Sequence, residues 1–391
     1  MTTGTSPHVA VIGGGILGTS TAAYLARAGV RVTLVTSGEL ADGASGRSIA
    51  WLNSSGDRSA AYHYLRLAGI DRYRSWQAHH PESEAYIRFD GALKWAGPGE
   101  SFRSTFDFER RNGYDSLWID RADIATVAPD VDPAAVAEEG AIYNPGEGWI
   151  SMPDLIAALA ADAVAAGATV HENVGHARVD VQGDEAVGVV LADGTRIAAD
   201  HVVLATGPAV PADLAALGVT IPDATPAAFV LFTDPVDVTV RTVLNTPRVA
   251  VRPTPDGRLV LDADWAEQSV QVADDGSLTV PEASVEGLLA EASRVLAGNP
   301  TLTAQHVGAG LKPIPGDGNP AVGEVPGIRN LSALFTHSGA TLGLILGELL
   351  ADEIVTGTPS PLLADFRFHR FVDTAALEPI ATGAWSPVNE D

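Results

Sequence analysis

The sequence predicts an α/β fold, in which a parallel sheet covered by helices is interrupted by an inserted region of mainly antiparallel sheet. The 391-residue chain opens with a strand–helix–strand pattern. It returns to a strand at residues 331–335 and a helix at residues 342–355. Between these ends, residues 227–302 alternate short strands and turns around one helix. A sheet with an insertion accounts for all three observations, and the length suits two domains.

The first element is a βαβ unit. Residues 8–12 form an apolar run suited to a buried strand, residues 19–28 have a helical pattern, and residues 30–35 predict the second strand. Gly29 occupies the place of a glycine that ends a helix.

A glycine pattern lies between the first strand and the helix. Gly13, Gly15 and Gly18 satisfy G-x-G-x-x-G. In this context the first glycine permits the turn, the second admits a pyrophosphate, and the third lets the helix pack closely on the strand. The N-terminus of the helix that follows offers N–H donors and a favourable dipole. The sequence therefore predicts a Rossmann-type dinucleotide site.

The position after the second strand is neutral, although an acidic residue that binds the ribose is usual there. Thr36 holds this place, Ser37 follows, and Glu39 comes three residues after Thr36. The Thr36 hydroxyl can bond a ribose as a neutral partner. No arginine that would suit NADP lies between residues 36 and 38.

Later elements repeat the layered pattern. We predict a helix at residues 153–166, a hairpin turn at Asp193–Gly194 and an apolar strand from residue 201. A further helix is expected at residues 282–296, whereas residues 86–143 are irregular, as in a region that faces a substrate.

Composition excludes several functions. Lys and Arg total 24 against 49 Asp and Glu, so the net charge of −25 disfavours nucleic acid and membrane as partners. The chain has no cysteine, which excludes disulfides, thiolate sites and a cysteinyl flavin, and no metal-ligand spacing stands out. Without a recognisable signal segment or long apolar span, we expect a cytoplasmic protein whose oligomeric state the sequence leaves open.

Residues 9–53 resemble the N-terminus of the D-amino-acid oxidase superfamily of FAD-dependent oxidoreductases, which includes glycine oxidase, sarcosine oxidase and D-amino-acid dehydrogenase. Residues 149–155, 205–207, 310–323 and 337–343 are similar to further motifs of this superfamily, in the same order. Several ordered motifs are far more specific than one glycine pattern. The resemblance implies bound FAD, and the absence of cysteine favours a non-covalent link.

The resemblance implies FAD contacts in separate segments: a loop beside the pyrophosphate and flavin, a backbone contact to the adenine at His176, a strand end near the cofactor, and a glycine turn at the flavin. Together with the fingerprint, these implied contacts are Gly13, Gly15, Ile16, Leu17, Gly18, Thr36, Ser37, Ala44, Ser45, Gly46, Arg47, Ser48, His176, Ala205, Thr206, Gly207, Ser338, Gly339, Ala340, Thr341 and Leu342.

The implied architecture is a Rossmann-type FAD-binding domain with an inserted substrate domain. We assign residues 1–80, 145–220 and 305–391 to the FAD-binding domain, and residues 81–144 and 221–304 to the mainly antiparallel-sheet substrate domain.

The resemblance also implies the chemistry. Family members remove a hydride from a carbon that bears an amine, which gives an imine, and need no dedicated side-chain base. The expected partners are a small amine or amino-acid substrate and oxygen or another electron acceptor. Lys312 stands where amino-acid oxidases of this type usually have an arginine for the substrate carboxylate. A lysine cannot form that two-pronged contact, so Lys312 is expected to bind a carboxylate as a point charge, to face the flavin, or to be structural.

Three further positions bear on the substrate and acceptor. Val260 stands where sarcosine-oxidase-like members carry a lysine that helps oxygen react, which leaves oxidase activity open. Arg252 lies on a strand that borders the substrate pocket in relatives, although an exposed strand charge is the more frequent explanation. His337 adjoins the flavin turn and is a candidate for substrate contact or for a local turn bond.

Two other functional classes remain open at this point. A nicotinamide-dependent dehydrogenase shares the opening βαβ unit, although the C-terminal glycine motif favours FAD. A flavin-binding subunit that needs a partner for turnover would carry the same motifs.

Overall fold

The computed structural model describes residues 6–237 and 239–371. The helices are α1 (Ile16–Arg27), α2 (Ala60–His79), α3 (Arg103–Arg111), α4 (Ile124–Val127), α5 (Met152–Ala165), α6 (Val210–Ala215), α7 (Asp264–Glu267), α8 (Glu282–Val295) and α9 (Gly339–Thr356). The strands are β1 (His8–Ile12), β2 (Arg31–Val35), β3 (Trp51–Leu52), β4 (Ile87–Arg88), β5 (Ala92–Lys94), β6 (Leu117–Ile119), β7 (Ala141–Asn144), β8 (Gly148–Ile150), β9 (Thr169–His171), β10 (Arg178–Gln182), β11 (Glu185–Val190), β12 (Arg196–Ala198), β13 (His201–Leu204), β14 (Ala227–Thr233), β15 (Val243–Asn245), β16 (Ala250–Pro253), β17 (Leu259–Asp262), β18 (Gln271–Val272), β19 (Leu278–Thr279), β20 (Ala304–Leu311), β21 (Ala321–Glu324) and β22 (Leu331–Phe335).

The described residues form two compact units that alternate along the chain. The first contains residues 6–46, Met152–Pro226 and 311–371. The second contains Arg47–Ser151 and Ala227–Gly310, apart from residue 238.

The first boundary follows Gly46, whereas the sequence placed it near residue 80. Helix α2 accounts for the difference, because its bonds go to residues of the second unit: Arg74 Nη2 donates to the Gly146 carbonyl at 2.7 Å, and Gln77 Nε2 to the Ile87 carbonyl at 2.8 Å. The nucleotide and substrate roles assigned to the two units remain predictions.

The first unit is built on a mostly parallel sheet in the order β21-β22-β13-β1-β2-β9. Strand β1 pairs in parallel with β2 and with β13, β2 pairs in parallel with β9, and only the β21–β22 pair has an antiparallel register among the described pairs. The predicted βαβ unit and α/β class are confirmed. The antiparallel order β10-β11-β12 adds a second, smaller sheet, and Asp193 and Gly194 lie in the turn of its β11–β12 hairpin, as predicted.

Helix α1 lies against α9 at very short range. A Cβ on Gly347 would come 2.2 Å from Ser20 Oγ, so only glycine fits at this crossing. Helix α9 itself begins at Gly339, three residues before the predicted start. The Leu342 N–H already donates to the Ser338 carbonyl at 2.9 Å, and packing of buried Gly343 outweighs the low helix propensity of glycine.

The second unit contains a larger sheet in the order β20-β14-β17-β16-β15-β5-β7-β6. Its registers are antiparallel between β14 and β17, β17 and β16, β16 and β15, β5 and β7, and β7 and β6, and parallel between β15 and β5. Strand β8 lies between β3 and β4 in another antiparallel sheet.

The region predicted as irregular, residues 86–143, instead supplies β4 to β7, α3 and α4. Its strands are two to four residues long, too short for a period to be read from sequence. Within residues 6–237 and 239–371, no helix has the length and apolarity needed to cross a bilayer.

Candidate active site

The glycine loop joins β1 to α1 in the first unit. Gly13 has φ of +123°, and a Cβ there would lie 2.2 Å from the Ala205 carbonyl oxygen. A Cβ on Gly18 would lie 2.0 Å from the Gly13 carbonyl oxygen. The first and third glycines are therefore required by the turn and by close packing of α1, with or without a ligand.

Gly15 differs from these two glycines. Its backbone is extended, with φ of −80° and ψ of −179°, and a Cβ there would meet only Ser45 Oγ, at 3.1 Å. Ser45 Oγ accepts the Ile16 N–H at 3.1 Å, at the first turn of α1. Leu17 lies in the same turn and is buried. The chain thus leaves space at a helix N-terminus, and this arrangement fits a bound phosphate group.

The loop after β2 is held by backbone bonds from the segment after β9. The N–H groups of Asn173, Val174 and Gly175 donate to the carbonyls of Gly38, Thr36 and Ser37 at 3.0 to 3.2 Å. Thr36 is buried, and its Oγ1 would lie 2.7 Å from a Cβ on Gly14. The neutral residue in place of the usual acid therefore packs directly on the glycine loop.

Asp213, on α6, was missed by sequence reasoning. Its Oδ2 accepts the Thr206 hydroxyl at 2.6 Å, and its Oδ1 lies 3.2 Å from His176 Nε2. One carboxylate thus joins two residues that the resemblance assigns to FAD, on segments 30 residues apart in sequence. The only signal was an acid in the first turn of a proline-started helix, just after Gly207.

The loop Ala44–Gly46 forms a short 3₁₀ turn whose residues are half-buried. In the second unit, the stem of Arg47 lies along β20, where Cβ atoms on Gly308 and Gly310 would approach it within 3.3 and 3.4 Å. Ser48 Oγ accepts the Ala50 N–H at 3.0 Å.

Lys312 and His337 both belong to the first unit, and both are half-buried. The Lys312 N–H donates to the Pro226 carbonyl at 3.0 Å. His337 precedes Ser338, whose N–H donates to Thr336 Oγ1 at 3.1 Å. At the start of α9, Gly339 and Ala340 are half-buried, whereas Thr341 and Leu342 are buried.

Arg252 is buried, with 4% of its surface exposed, so the interpretation as an exposed strand charge is wrong. Its guanidinium donates to the carbonyls of Pro253 at 3.0 Å and Ser48 at 3.4 Å, and lies 5.8 Å from the Trp149 ring centre. Its Nε has no hydrogen-bond partner among the described residues. Burial lowers the pKa of Arg252 to about 10. Val260 lies opposite Arg252 on β17 and is also buried.

Comparison with known proteins agrees with this architecture. A family profile described as FAD dependent oxidoreductase matches residues 8–353. Glycine oxidase from Geobacillus kaustophilus (strain HTA426) is 26% identical over 383 residues, which cover 95% of this chain and 98% of the relative. Glycine oxidase from Bacillus licheniformis is 27% identical over 366 residues, covering 89% and 93%.

A solved structure gives the same result for the fold. The crystal structure of glycine oxidase from Geobacillus kaustophilus matches with a TM-score of 0.78 at 25% identity, over 93% of this chain and 98% of that one. The resemblance to the superfamily, the fold class and the assignment as an enzyme are confirmed. Because the profile spans most of the sequence, the chain belongs to the FAD dependent oxidoreductase family.

Proposed function

We propose that this enzyme oxidises the C–N bond of a small amino acid or secondary amine to an imine. The observation that carries the proposal is the match to two glycine oxidases over nearly their whole length. When bound, FAD accepts the hydride removed from the carbon that bears the amine. A nicotinamide-dependent dehydrogenase is no longer favoured, since the family uses FAD.

The residues of the first unit fit FAD in the proposed roles. The space at Gly15 and the N-terminus of α1 would hold the pyrophosphate, and Ser45 would fix the neighbouring loop. Asp213 would orient His176 and Thr206 at the adenosine end. The N-terminus of α9, from Ser338 to Leu342, would direct its dipole towards negative charge on the reduced flavin.

We propose Lys312 as the first candidate for the cation that recognises the substrate and Arg252 as the second, with His337 next to the flavin turn. Arg252 supports a carboxylate ligand, because it is buried without an ion pair in the described part of the chain. Asp262 and Asp256 offset part of the cost of burying this cation, but burial still lowers its pKa, and a bound carboxylate would offset more of that cost. A carboxylate-bearing amine is therefore favoured over a plain amine.

The decisive experiment is anaerobic mixing of the purified protein with D- and L-amino acids, N-methyl amines and cyclic imino acids. We expect flavin bleaching with at least one carboxylate-bearing compound. Readmitting oxygen then separates an oxidase, whose colour returns at once, from an enzyme that needs another acceptor. Bound FAD without bleaching by any compound would contradict the proposal and favour a flavin-binding subunit that requires a partner.

We further propose that FAD is bound without a covalent link, because the chain has no cysteine and Gly15 leaves room for the pyrophosphate. Acid precipitation of the purified protein should leave the yellow colour in the supernatant. Colour that stays in the pellet would indicate a histidyl or tyrosyl bond and overturn this part.

A further inference from the structure

A buried polar network in the second unit is not used by any of the proposed cofactor or substrate roles. It surrounds Trp51–Gly56, which we call the anchored segment. This segment begins three residues after Ser48, a proposed FAD contact. The network contains Lys94, Glu109 and Glu147, whose exposed fractions are 5%, 1% and 0%.

Glu147 holds the segment at two points. Its Oε2 accepts a hydrogen bond from Trp51 Nε1–H at 2.9 Å. Its Oε1 accepts one from the Tyr114 hydroxyl and another from Asn144 Nδ2, the latter at 3.3 Å. The Tyr114 oxygen in turn accepts the Ser54 N–H at 2.8 Å. One carboxyl–phenol pair therefore bonds both the start and the middle of the segment.

Glu109 holds the end of the segment. It accepts the Gly56 N–H at 2.7 Å, the Ser55 hydroxyl at 3.1 Å and the Ser116 hydroxyl at 2.6 Å. Lys94 Nζ donates to Glu109 at 2.5 Å and also to Ser55 Oγ. Glu109 therefore accepts four hydrogen bonds, the kind of support that a buried charge requires.

Two residues of α2 complete the network. Arg66 donates to the carbonyl and to the side-chain oxygen of Asn53, at 2.8 and 2.9 Å. His63 Nδ1 lies 2.7 Å from Ser54 Oγ. Burying so many charges costs free energy that apolar packing would not. The excess indicates a demand on the conformation of this segment beyond folding.

We propose that Glu147 and Tyr114 are positioning residues for the reaction: they set the conformation of the anchored segment, and the ionisation of the Glu147 carboxyl makes that conformation pH-dependent. The step from segment to turnover rests on the proposed function, because it assumes that the preceding residues contact FAD. The hold on the segment itself does not depend on that assumption.

The pH dependence follows from hydrogen-bond directions. Ionised Glu147 accepts from Trp51, Tyr114 and Asn144. A proton on the carboxyl removes its charge and occupies one acceptor position, so the bonds that hold the segment become weaker. Burial raises the pKa of Glu147 to about 8, against the bonds from Tyr114 and Trp51 and the charge of Lys94.

Other charges around Glu147 come from three elements. Lys94 lies on β5 and favours the ionised form, whereas Glu109 lies on α3 and disfavours it. Arg58, just before α2, is attracted to the ionised carboxylate of Glu147. Tyr114, in the turn after α3, has its own pKa raised by burial and by Glu147, so it keeps its proton near pH 8. The proton exchanged in that range is therefore that of Glu147.

The test is hydrogen–deuterium exchange of a peptide covering residues 48–56, from pH 6.5 to 9.5 and corrected for intrinsic rates. Wild-type protection should rise as the pH passes 8 and Glu147 becomes ionised, and Glu147→Gln should abolish that rise. Tyr114→Phe should speed exchange roughly three- to tenfold at every pH, the effect of one lost hydrogen bond. Tyr143→Phe and Glu139→Gln, the same changes elsewhere in the second unit, should leave this peptide unaffected.

Turnover supplies the second measurement. In wild-type enzyme the kcat profile should show a step near pH 8 that Glu147→Gln removes, and Tyr114→Phe should lower kcat with little change in KM.

A Glu147→Gln protein that keeps the wild-type step in exchange would overturn the proposal, as would a Tyr114→Phe protein with faster exchange but unchanged kcat and flavin spectrum. If the wild type oxidises no compound, the proposed function fails on its own and the exchange result still decides the hold on the segment. If Glu147→Gln does not fold, Tyr114→Phe decides the positioning role, and a wild-type exchange profile that is flat across pH 8 would overturn the pH dependence.

Discussion

At Gly15, a side chain would enter space that the chain itself leaves almost empty. The extended backbone tolerates any residue, and the only near neighbour of a Cβ is Ser45 Oγ. Gly13 and Gly18 are different, because a side chain there collides with backbone atoms. Gly15 is therefore the position at which loss of FAD can be separated from loss of folding.

Gly15→Val should remove bound FAD while the protein still folds, because the valine occupies the pyrophosphate space. Flavin absorbance per protein and circular dichroism measure the two effects. Gly97→Val is the matched control, since a Cβ there likewise first meets a side-chain oxygen, Glu100 Oε2 at 3.0 Å, and Gly97 lies outside every proposed FAD segment; it should keep its FAD. A folded Gly15→Val protein with a full complement of FAD would show that the site is assigned wrongly.

Two roles are open for Lys312: binding the substrate carboxylate, or serving the flavin or oxygen. If it binds the substrate carboxylate, Lys312→Met should weaken binding of such substrates by about 1.5–3 kcal/mol, the usual scale for a hydrogen bond to a charged group. If it serves the flavin or oxygen, the oxidative half-reaction should change while substrate affinity holds. Stopped-flow measurement of each half-reaction separates these cases.

Lys312→Arg refines the result, because a carboxylate site accepts the guanidinium fork and an oxygen site does not. If both variants match wild type in both half-reactions, Lys312 is structural. Arg252, already buried without an ion pair, then becomes the principal candidate for the carboxylate.

Among the elements, β13 carries a titratable group inside the parallel sheet. His201 Nε2 lies 3.0 Å from Ser332 Oγ on the neighbouring β22. Burial lowers the pKa of His201 to about 4. Between about pH 6.5 and pH 4 this histidine is neutral in the folded protein but protonated in the unfolded chain. Its contribution to the free energy of unfolding is therefore lost as the pH falls through that range.

His201→Gln should reduce the acid sensitivity of the free energy of unfolding by up to about 2 kcal/mol between pH 7 and 5. Urea denaturation at a series of pH values measures it. His171→Gln, an exposed histidine on β9 of the same sheet, should keep the wild-type pH dependence. Equal pH dependence in the wild type and in His201→Gln would contradict the assignment.

Elements that are long and periodic were predictable from sequence. Strands β1 and β22 have the predicted bounds, and α5 and α8 lie within one residue of theirs, whereas α1 begins at Ile16, three residues before its predicted start. The strands of two to four residues between residues 86 and 144 were not found, because they form by pairing with distant segments, as β5 does with β15. Helix α9 begins earlier than predicted. Its glycines indicate a turn in the sequence, but in the folded chain they lie within the helix, where buried Gly343 allows close packing.

The candidate site divides in the same way. Residues in continuous motifs, such as the glycine loop, could be named from spacing alone. Asp213 and Glu147 could not, because their partners come from segments up to 96 residues away and neither lies in a motif. The burial of Arg252 was likewise invisible, since a single charge on a strand gives no sign of which face is covered.

For the whole molecule, the order of strands in the parallel sheet has a consequence for biosynthesis. Strand β1 pairs with β13, whose residues follow it by 192 positions, and β13 pairs in turn with β22 at residues 331–335. Contacts so far apart in sequence close slowly, because the intervening chain must be brought together first. While residue 335 is still inside the ribosome, the β22 side of β13 has no partner strand, and its apolar residues Val202 to Leu204 are open to pairing with other nascent chains. We therefore expect the yield of native protein to depend on chaperones that hold the chain until β22 has emerged.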